Sequence, residues 1–170
     1  MNSKRYGWVW TGIKVILLAA LVGTIWFIFS NSMKTASVSS SASGMVLAFL
    51  QKVLRRLGHP GLAARLTDHM VRKAAHFCEY MMEGFFLLLV TRILAGRRRR
   101  LLPYLSWPAL FGVLTALTDE TIQLFYDGRG SLVTDVWIDF SGVVMGMICG
   151  LLFLGLWHLL FGRRRDDTEF

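Results

Sequence analysis

Six acidic side chains lie inside or at the edge of apolar segments long enough to enter a membrane. They are Glu79, Glu83, Asp119, Glu120, Asp135 and Asp139. A carboxylate within a bilayer costs a few kcal/mol unless it is paired, protonated or hydrated, so such residues are rare and usually functional. No acidic residue occurs before Asp68. Their concentration in the later part of the chain therefore predicts a site for binding or proton transfer.

The spacing of these acids places them on shared helix faces. Three sets are separated by three or four residues: His76, Glu79 and Glu83; Asp119 and Gln123; Asp135 and Asp139. Glu120 is turned by about 100° from Asp119. At a rise of about 1.5 Å per residue, most of these groups fall within roughly 5–11 Å of the outer ends of their helices, and Glu83 lies deeper. The pattern predicts one polar site near the outer face of a membrane.

Four apolar segments must position this site, and each has about the 20 residues that a membrane-spanning helix requires. The predicted spans are residues 8–29, 73–95, 104–126 and 136–161. We interpret the first as an uncleaved helix, because its apolar run exceeds the about 7–15 residues of a signal-peptide core. The predicted fold is an all-α integral membrane bundle of four helices, forming a single domain over residues 1–170.

Basic residues predict the orientation of the bundle. Clusters at residues 4–5, 97–100 and 163–165 fall on one side when four helices alternate, and basic short loops stay in the cytoplasm. Both termini are therefore expected in the cytoplasm, in a multi-pass protein of the cell membrane. The connection at 31–72 faces outward. It is expected to hold a serine-rich linker at 37–43 and an amphipathic helix at 45–57, which lies in the membrane interface or packs on the protein.

The composition agrees with a membrane protein. Hydrophobic residues make up 54% of the chain and charged residues 18%, whereas soluble domains carry about 25% charge. The net charge of +8 comes largely from arginine clusters beside apolar runs, so we expect no nucleic-acid partner. Gly142, Gly146 and Gly150 repeat every four residues, a pattern typical of closely packed membrane helices. Asp139 falls on nearly the same face and is predicted to point into the bundle.

Three motifs resemble those of VanZ-like membrane proteins. His-Phe-Cys-Glu-Tyr at 76–80 is similar to the family's His-Phe-x-Glu-Tyr, and Asp-Glu-Thr-Ile-Gln at 119–123 to its Asp-Glu-x-x-Gln. A third element, an arginine in a turn followed by two aspartates and a glycine, is matched by Arg129, Asp135, Asp139 and Gly142. Phe-Ser-Asn-Ser at 29–32 is also similar to the family. The resemblance covers about residues 10–160.

The resemblance implies a role at the cell envelope. The family's namesake is associated with low-level resistance to the lipoglycopeptide teicoplanin, with less effect on vancomycin. The expected ligand is an envelope lipid, a lipid-linked cell-wall precursor or a lipid-tailed antibiotic. The family name does not supply a reaction, so whether the chain is an enzyme stays open.

In the first interpretation, the polar groups bind such a ligand or act on it. The catalytic candidates are His76, Glu79, Asp119, Glu120 and Asp139. The ligand-binding candidates are Lys73, Tyr80, Glu83, Gln123, Arg129 and Asp135, of which Tyr80 comes from the resemblance. His76 and Glu79 would transfer protons or hold the ligand, and Arg129 would receive an anionic headgroup such as phosphate. In a variant of this interpretation, a divalent cation is held by Glu79, Asp119, Glu120 and Asp139, with or without His76. Such an oxygen-rich site suits magnesium, calcium or manganese.

Three other interpretations remain open. The protein could be a ligand-binding or stress protein that protects by occupancy, without turnover. It could be a small proton-coupled transporter, which would need an oligomer and a relay through Glu83. Finally, Arg129, Lys73 and His76 could pair with the acids simply to hold the helices together.

Overall fold

The computed structural model describes the backbone of residues 3–95 and 101–161 and the side chains of residues 7–95 and 104–161. The described part of the chain is helical, with short connections. In order, the helices are α1 (Ser3–Ser32), α2 (Ala36–Arg56), α3 (Pro60–Arg65), α4 (Asp68–Ala95), α5 (Leu101–Gln123) and α6 (Val133–Phe161). The arginine clusters at 97–100 and 163–165, on which the predicted orientation depends, lie outside the described residues.

Two of the described helices are long and apolar enough to cross a bilayer. They are the Gly7–Ser32 part of α1 and the whole of α6. Large apolar side chains on both helices face outward: Trp26 is 73% exposed and Trp137 is 65% exposed. An outward apolar belt of this kind is stable against lipid rather than water. The helical fold and the two apolar helices agree with the sequence prediction, while the four-span bundle and its orientation stay predictions.

Helix α4 is the centre of the bundle, because it packs against α6, α1 and α5. The buried core combines side chains from all four helices, namely Ile28, Tyr80, Leu88, Ala116, Val143 and Met147. Ile28 comes from α1, so the first helix is an integral part of the packing. Helix α4, which carries five of the predicted site residues, therefore has a fixed position relative to α1, α5 and α6.

Glycines bring the backbones of α4 and α6 into contact. Gly142, Gly146 and Gly150 are all buried against α4. A Cβ atom at Gly146 would overlap the carbonyl oxygen of Met81, and a Cβ atom at Gly84 would overlap the carbonyl oxygen of Val143. Small residues permit this approach, as the four-residue repeat predicted. Asp139, on the same face of α6, is only 2% exposed, so the prediction that it points into the bundle is confirmed.

The prediction of a serine-rich linker at 37–43 is wrong, because these residues form the first turns of α2. The Ser41 and Ser43 hydroxyls donate to backbone carbonyls four residues earlier at 3.0 Å, a bond that serine can make within a helix. The Ala36 amide also donates to the Asp127 carbonyl at 3.2 Å, which fixes the start of α2 beside the α5–α6 turn. The amphipathic helix predicted at 45–57 is confirmed as the second half of α2, which packs on α3 and α4.

The Gly146→Ala substitution is expected to destabilise the bundle by about 1–3 kcal/mol, because the added Cβ forces α6 away from α4. Gly155→Ala in the same helix is the matched control, since a Cβ there meets nothing within 4 Å. It should be neutral or slightly stabilising, as alanine favours helix over glycine. Thermal unfolding of the two variants in detergent measures the difference. Equal midpoints for the two variants would contradict the close contact.

Candidate functional site

Three helices bring their polar side chains together at the ends nearest to α2. His76 of α4, Asp119 of α5 and Asp139 of α6 each place one nitrogen or oxygen atom within 4.8 Å of the others. His76 Nδ1 lies 3.9 Å from Asp119 Oδ2. Asp119 is 0% exposed and Asp139 is 2% exposed, whereas His76 is half-buried. Three of the five catalytic candidates therefore form one tight cluster, which we call the central triad.

Glu120 is held at the edge of the central triad by neutral donors. The Gln123 Nε2 amide donates to both Asp119 Oδ2 and Glu120 Oε1 at 3.1 Å. The backbone amide of Leu132 donates to Glu120 Oε2 at 3.2 Å. Gln123, predicted as a ligand-binding residue, thus bridges two carboxylates of its own helix. Both oxygens of Glu120 are engaged, which makes this residue a poorer candidate for direct chemistry than Asp119.

Glu79 faces the end of α1, where its carboxylate accepts a hydrogen bond from Asn31. Asn31 Nδ2 donates to Glu79 Oε1 at 2.8 Å, and Asn31 Oδ1 accepts from Lys34 Nζ at 2.7 Å. Arg129 Nη2 donates to the backbone carbonyl of Asn31 at 3.1 Å. Asn31 thus connects an acid, a lysine and an arginine, yet it was not among the predicted site residues. The signal that could have found it was the Phe-Ser-Asn-Ser sequence at 29–32.

Cationic side chains form the rim of the site. Lys73 pairs with Asp135 at 2.5 Å across α4 and α6, and Arg72 lies 3.9 Å from Asp68, which also accepts from Ser43. Burial lowers the pKa of Arg129, and so does the nearby Arg72, while the acids of the site oppose this effect. An arginine guanidinium stays protonated despite such a shift. Arg129 therefore places a permanent positive charge beside the central triad.

Two ligand-binding candidates lie deeper than the rest. Glu83 is 0% exposed, and its Oε1 accepts from the Thr115 hydroxyl at 2.7 Å. Tyr80 is fully buried in the core, and its hydroxyl has no hydrogen-bond partner among the described residues. Neither side chain lines the two cavities described next. Thr115 was not predicted, because a single threonine in an apolar helix carries no distinguishing signal.

Two cavities open onto the site. The first, which we call the polar cleft, has a volume of about 100 Å³ and is lined by seven predicted residues: Lys73, His76, Glu120, Gln123, Arg129, Asp135 and Asp139. The second, which we call the apolar groove, has a volume of about 700 Å³ and runs between α1, α2 and α4. Ser39, Arg72, His76 and Arg129 line both cavities. A polar compartment and a larger apolar compartment therefore share one wall.

The site has buried polar atoms without hydrogen-bond partners in the described part of the chain. They include His76 Nδ1, Glu79 Oε2, Asp119 Oδ1, Arg129 Nε and Asp139 Oδ2. Most buried polar atoms in folded proteins are hydrogen-bonded, since an unpaired group costs about 1–3 kcal/mol. Several unpaired polar atoms in one place are typical of a ligand-binding site.

Comparison with known proteins identifies a family that matches the chain. The sequence model of the VanZ/LLP1 family matches residues 15–154. No curated protein and no solved structure matches the chain significantly. The matched segment includes Asn31, the central triad, Glu79 and Arg129, and it covers most of the sequence. The two apolar helices and this match together indicate a membrane protein, and the chain belongs to the VanZ/LLP1 family.

Proposed function

We propose that this protein spans the cytoplasmic membrane four times and binds a lipid-tailed ligand of the cell envelope at the outer leaflet. The ligand is an envelope lipid, a lipid-linked cell-wall precursor or a lipoglycopeptide of the teicoplanin type. The observation that carries this proposal is the shared wall between the polar cleft and the apolar groove. A ligand with an anionic headgroup and a long apolar tail matches both compartments at once.

The apolar groove suits the tail of such a ligand. Its volume of about 700 Å³ lies within the usual range of about 300–1,000 Å³ for small-molecule sites. Apolar side chains from three helices form much of its wall, including Phe27, Val46, Leu50 and Val71. Because α2 is amphipathic and forms one side of the groove, it supports an entrance at the membrane interface.

The headgroup would meet the cationic rim where the two compartments join. Arg72 and Arg129 line both cavities, and Lys34 lines the groove. Arginine binds phosphate oxygens through two parallel N–H donors, which favours a phosphate-bearing headgroup. Glu79 Oε2 has no hydrogen-bond partner among the described residues. It would accept a proton or a hydrogen bond from the ligand, so the same geometry serves binding alone or binding followed by acid–base chemistry.

The lengths of α4 and α5 support four spans. They contain 28 and 23 residues, or about 42 Å and 34 Å at the rise of an α-helix, against about 30 Å of bilayer core. Both helices pack between α1 and α6. In this orientation α2, α3 and the α5–α6 turn face outward, which places the polar cleft in the outer leaflet.

Reporter fusions test this topology. Alkaline phosphatase fused after Gly58, in the connection between α2 and α3, should be active because it is exported. The same enzyme fused at the carboxyl terminus should be inactive, while green fluorescent protein at that position should fluoresce. Active phosphatase at the carboxyl terminus and inactive phosphatase at Gly58 would reverse the orientation. Activity at both positions would mean an odd number of spans.

Glu79→Gln tests the role of the polar site in resistance. Wild type, Glu79→Gln and Asp127→Asn are expressed at matched membrane levels in a glycopeptide-sensitive Gram-positive host. We expect the wild type to raise the inhibitory concentration of teicoplanin selectively over vancomycin, and Glu79→Gln to abolish this rise. Asp127 is an exposed acid of the turn, so its variant should keep the rise. If the Glu79→Gln variant still raises the inhibitory concentration of teicoplanin, the Glu79 carboxylate is not required for resistance. No rise with the wild type would exclude the lipoglycopeptide and leave the envelope lipids.

Ala75→Trp tests the apolar groove directly. Ala75 is an exposed residue of α4 that lines the groove, so an indole there should occlude the tail site. Ala19→Trp, on an exposed part of α1 away from the groove, is the control. Native mass spectrometry of the full chain measures binding of undecaprenyl phosphate. We expect weaker binding for Ala75→Trp, and about tenfold weaker binding for Arg129→Gln, which loses a charge-assisted bond. Equal binding by all four proteins would contradict the proposed site.

A further inference from the structure

We propose that the central triad of His76, Asp119 and Asp139 binds one divalent transition-metal cation. The proposal goes beyond lipid binding and does not depend on it. It rests on the convergence of one imidazole and two carboxylates from three different helices, α4, α5 and α6. Among the His, Cys, Asp and Glu side chains of the described residues, these three bring potential ligand atoms within 4.8 Å of one another.

The distances in the central triad fit a metal site after a small adjustment. The three potential ligand atoms lie within 4.8 Å of one another. Ligand atoms around one ion at about 2.0–2.2 Å are roughly 3–4 Å apart, so side-chain rotation of about 1 Å completes the geometry. The helices already fix the direction of approach, because the glycine contact places the Asp139 turn of α6 directly against α4.

Buried polar atoms without hydrogen-bond partners in the central triad provide a second, independent observation. Asp119 is 0% exposed and Asp139 is 2% exposed, yet Asp119 Oδ1 and Asp139 Oδ2 have no hydrogen-bond partner in the described residues. His76 Nδ1 is also buried and without such a partner. Buried carboxylates without partners are strongly unfavourable unless a cation or a proton neutralises them. A cation held by one atom from each of the three side chains would offset the charge of both carboxylates.

The other acidic side chains near the triad already have hydrogen-bond or ion-pair partners. This reduces the number of side chains that could act as metal ligands. Glu120 accepts from Gln123 and from the Leu132 amide, and Asp135 pairs with Lys73. One oxygen of Glu79 accepts from Asn31. The broader set expected from the sequence, which included Glu79 and Glu120, therefore reduces to the central triad. Arg129 is a second source of positive charge in the site; its Nη2 donates to the Asn31 carbonyl, and its Nε has no hydrogen-bond partner among the described residues.

The donor set indicates which ions would bind. One imidazole nitrogen and two carboxylate oxygens favour Zn²⁺ or Mn²⁺ over Mg²⁺ and Ca²⁺, which prefer oxygen ligands throughout. Three protein ligands leave at least one coordination position open. His76 and Asp139 line the polar cleft, so this position would face the cleft, where a water or a phosphate oxygen can reach it.

Titration of the full chain tests the proposal. The protein is purified in detergent with an affinity tag that contains no histidine, stripped with EDTA and titrated with Zn²⁺, Mn²⁺, Mg²⁺ and Ca²⁺. Calorimetry and elemental analysis should give one Zn²⁺ or Mn²⁺ per chain and much weaker binding of Mg²⁺ and Ca²⁺. His76→Ala and Asp139→Asn should each lower the affinity by at least about tenfold. Asp127→Asn, which changes an exposed residue of the α5–α6 turn, should keep it near the wild-type value.

Several outcomes would overturn the metal site. They are less than half an ion per chain in the wild type, equal affinity for wild type and Asp139→Asn, or loss of binding in Asp127→Asn. If His76→Ala and Asp139→Asn fail to fold, the wild type alone decides, because a saturable rise of its unfolding temperature with Zn²⁺ or Mn²⁺ is required. Binding of undecaprenyl phosphate is measured separately on the EDTA-stripped protein, so that the two proposals can be distinguished. If the protein binds metal but not the lipid, only the lipid proposal is refuted.

Discussion

The contact between the backbones of α4 and α6 is the constraint on which the site depends. Side chains larger than hydrogen at Gly146 or Gly84 would separate the two helices. Lipid tails are as apolar as the helix surfaces, so helices in a membrane associate through close van der Waals packing rather than through the hydrophobic effect. This close approach places Asp139 one turn before the first glycine contact and beside the His76 turn of α4. A looser pairing would leave that carboxylate facing lipid, where its charge would be too costly.

Hydrogen bonds from other parts of the fold hold most of the carboxylates in place. Most of them have a donor supplied by a different part of the fold: Asn31 for Glu79, Thr115 for Glu83, Lys73 for Asp135 and the Leu132 amide for Glu120. These bonds join α1 to α4, α4 to α5, α4 to α6 and α5 to the turn before α6. The network therefore also stabilises the bundle, as one of the sequence interpretations held. A purely structural network, however, does not account for Asp119 Oδ1 and Asp139 Oδ2, which are buried and have no hydrogen-bond partner among the described residues.

The sequence predicted the parts of the site that follow from periodicity. Helical spacing grouped His76 with Glu79 and set Asp139 on the glycine face, and both features depend only on local geometry. It failed where a contact joins distant segments. The serine stretch at 37–43 becomes helical because Ala36 is anchored to the α5–α6 turn and Ser43 to Asp68, and neither partner is near in sequence. For the same reason, residue spacing alone did not identify Asn31. It also did not show which acidic side chains have hydrogen-bond or ion-pair partners and which have unpartnered oxygen atoms.

The position of α2 explains why a polar site and an apolar groove occur side by side. Its first turn lies against the α5–α6 turn, where Ser39 contacts the polar cleft, while Val46 and Leu50 further along the helix line the apolar groove. One amphipathic helix thus contributes to both compartments, and Arg129 lies between them. A small hydrophilic solute would need only the cleft, and a simple hydrocarbon would need only the groove. An amphiphile with an anionic headgroup would use the charge of Arg129 and the volume of the groove together, which is why we propose an envelope lipid as the ligand class.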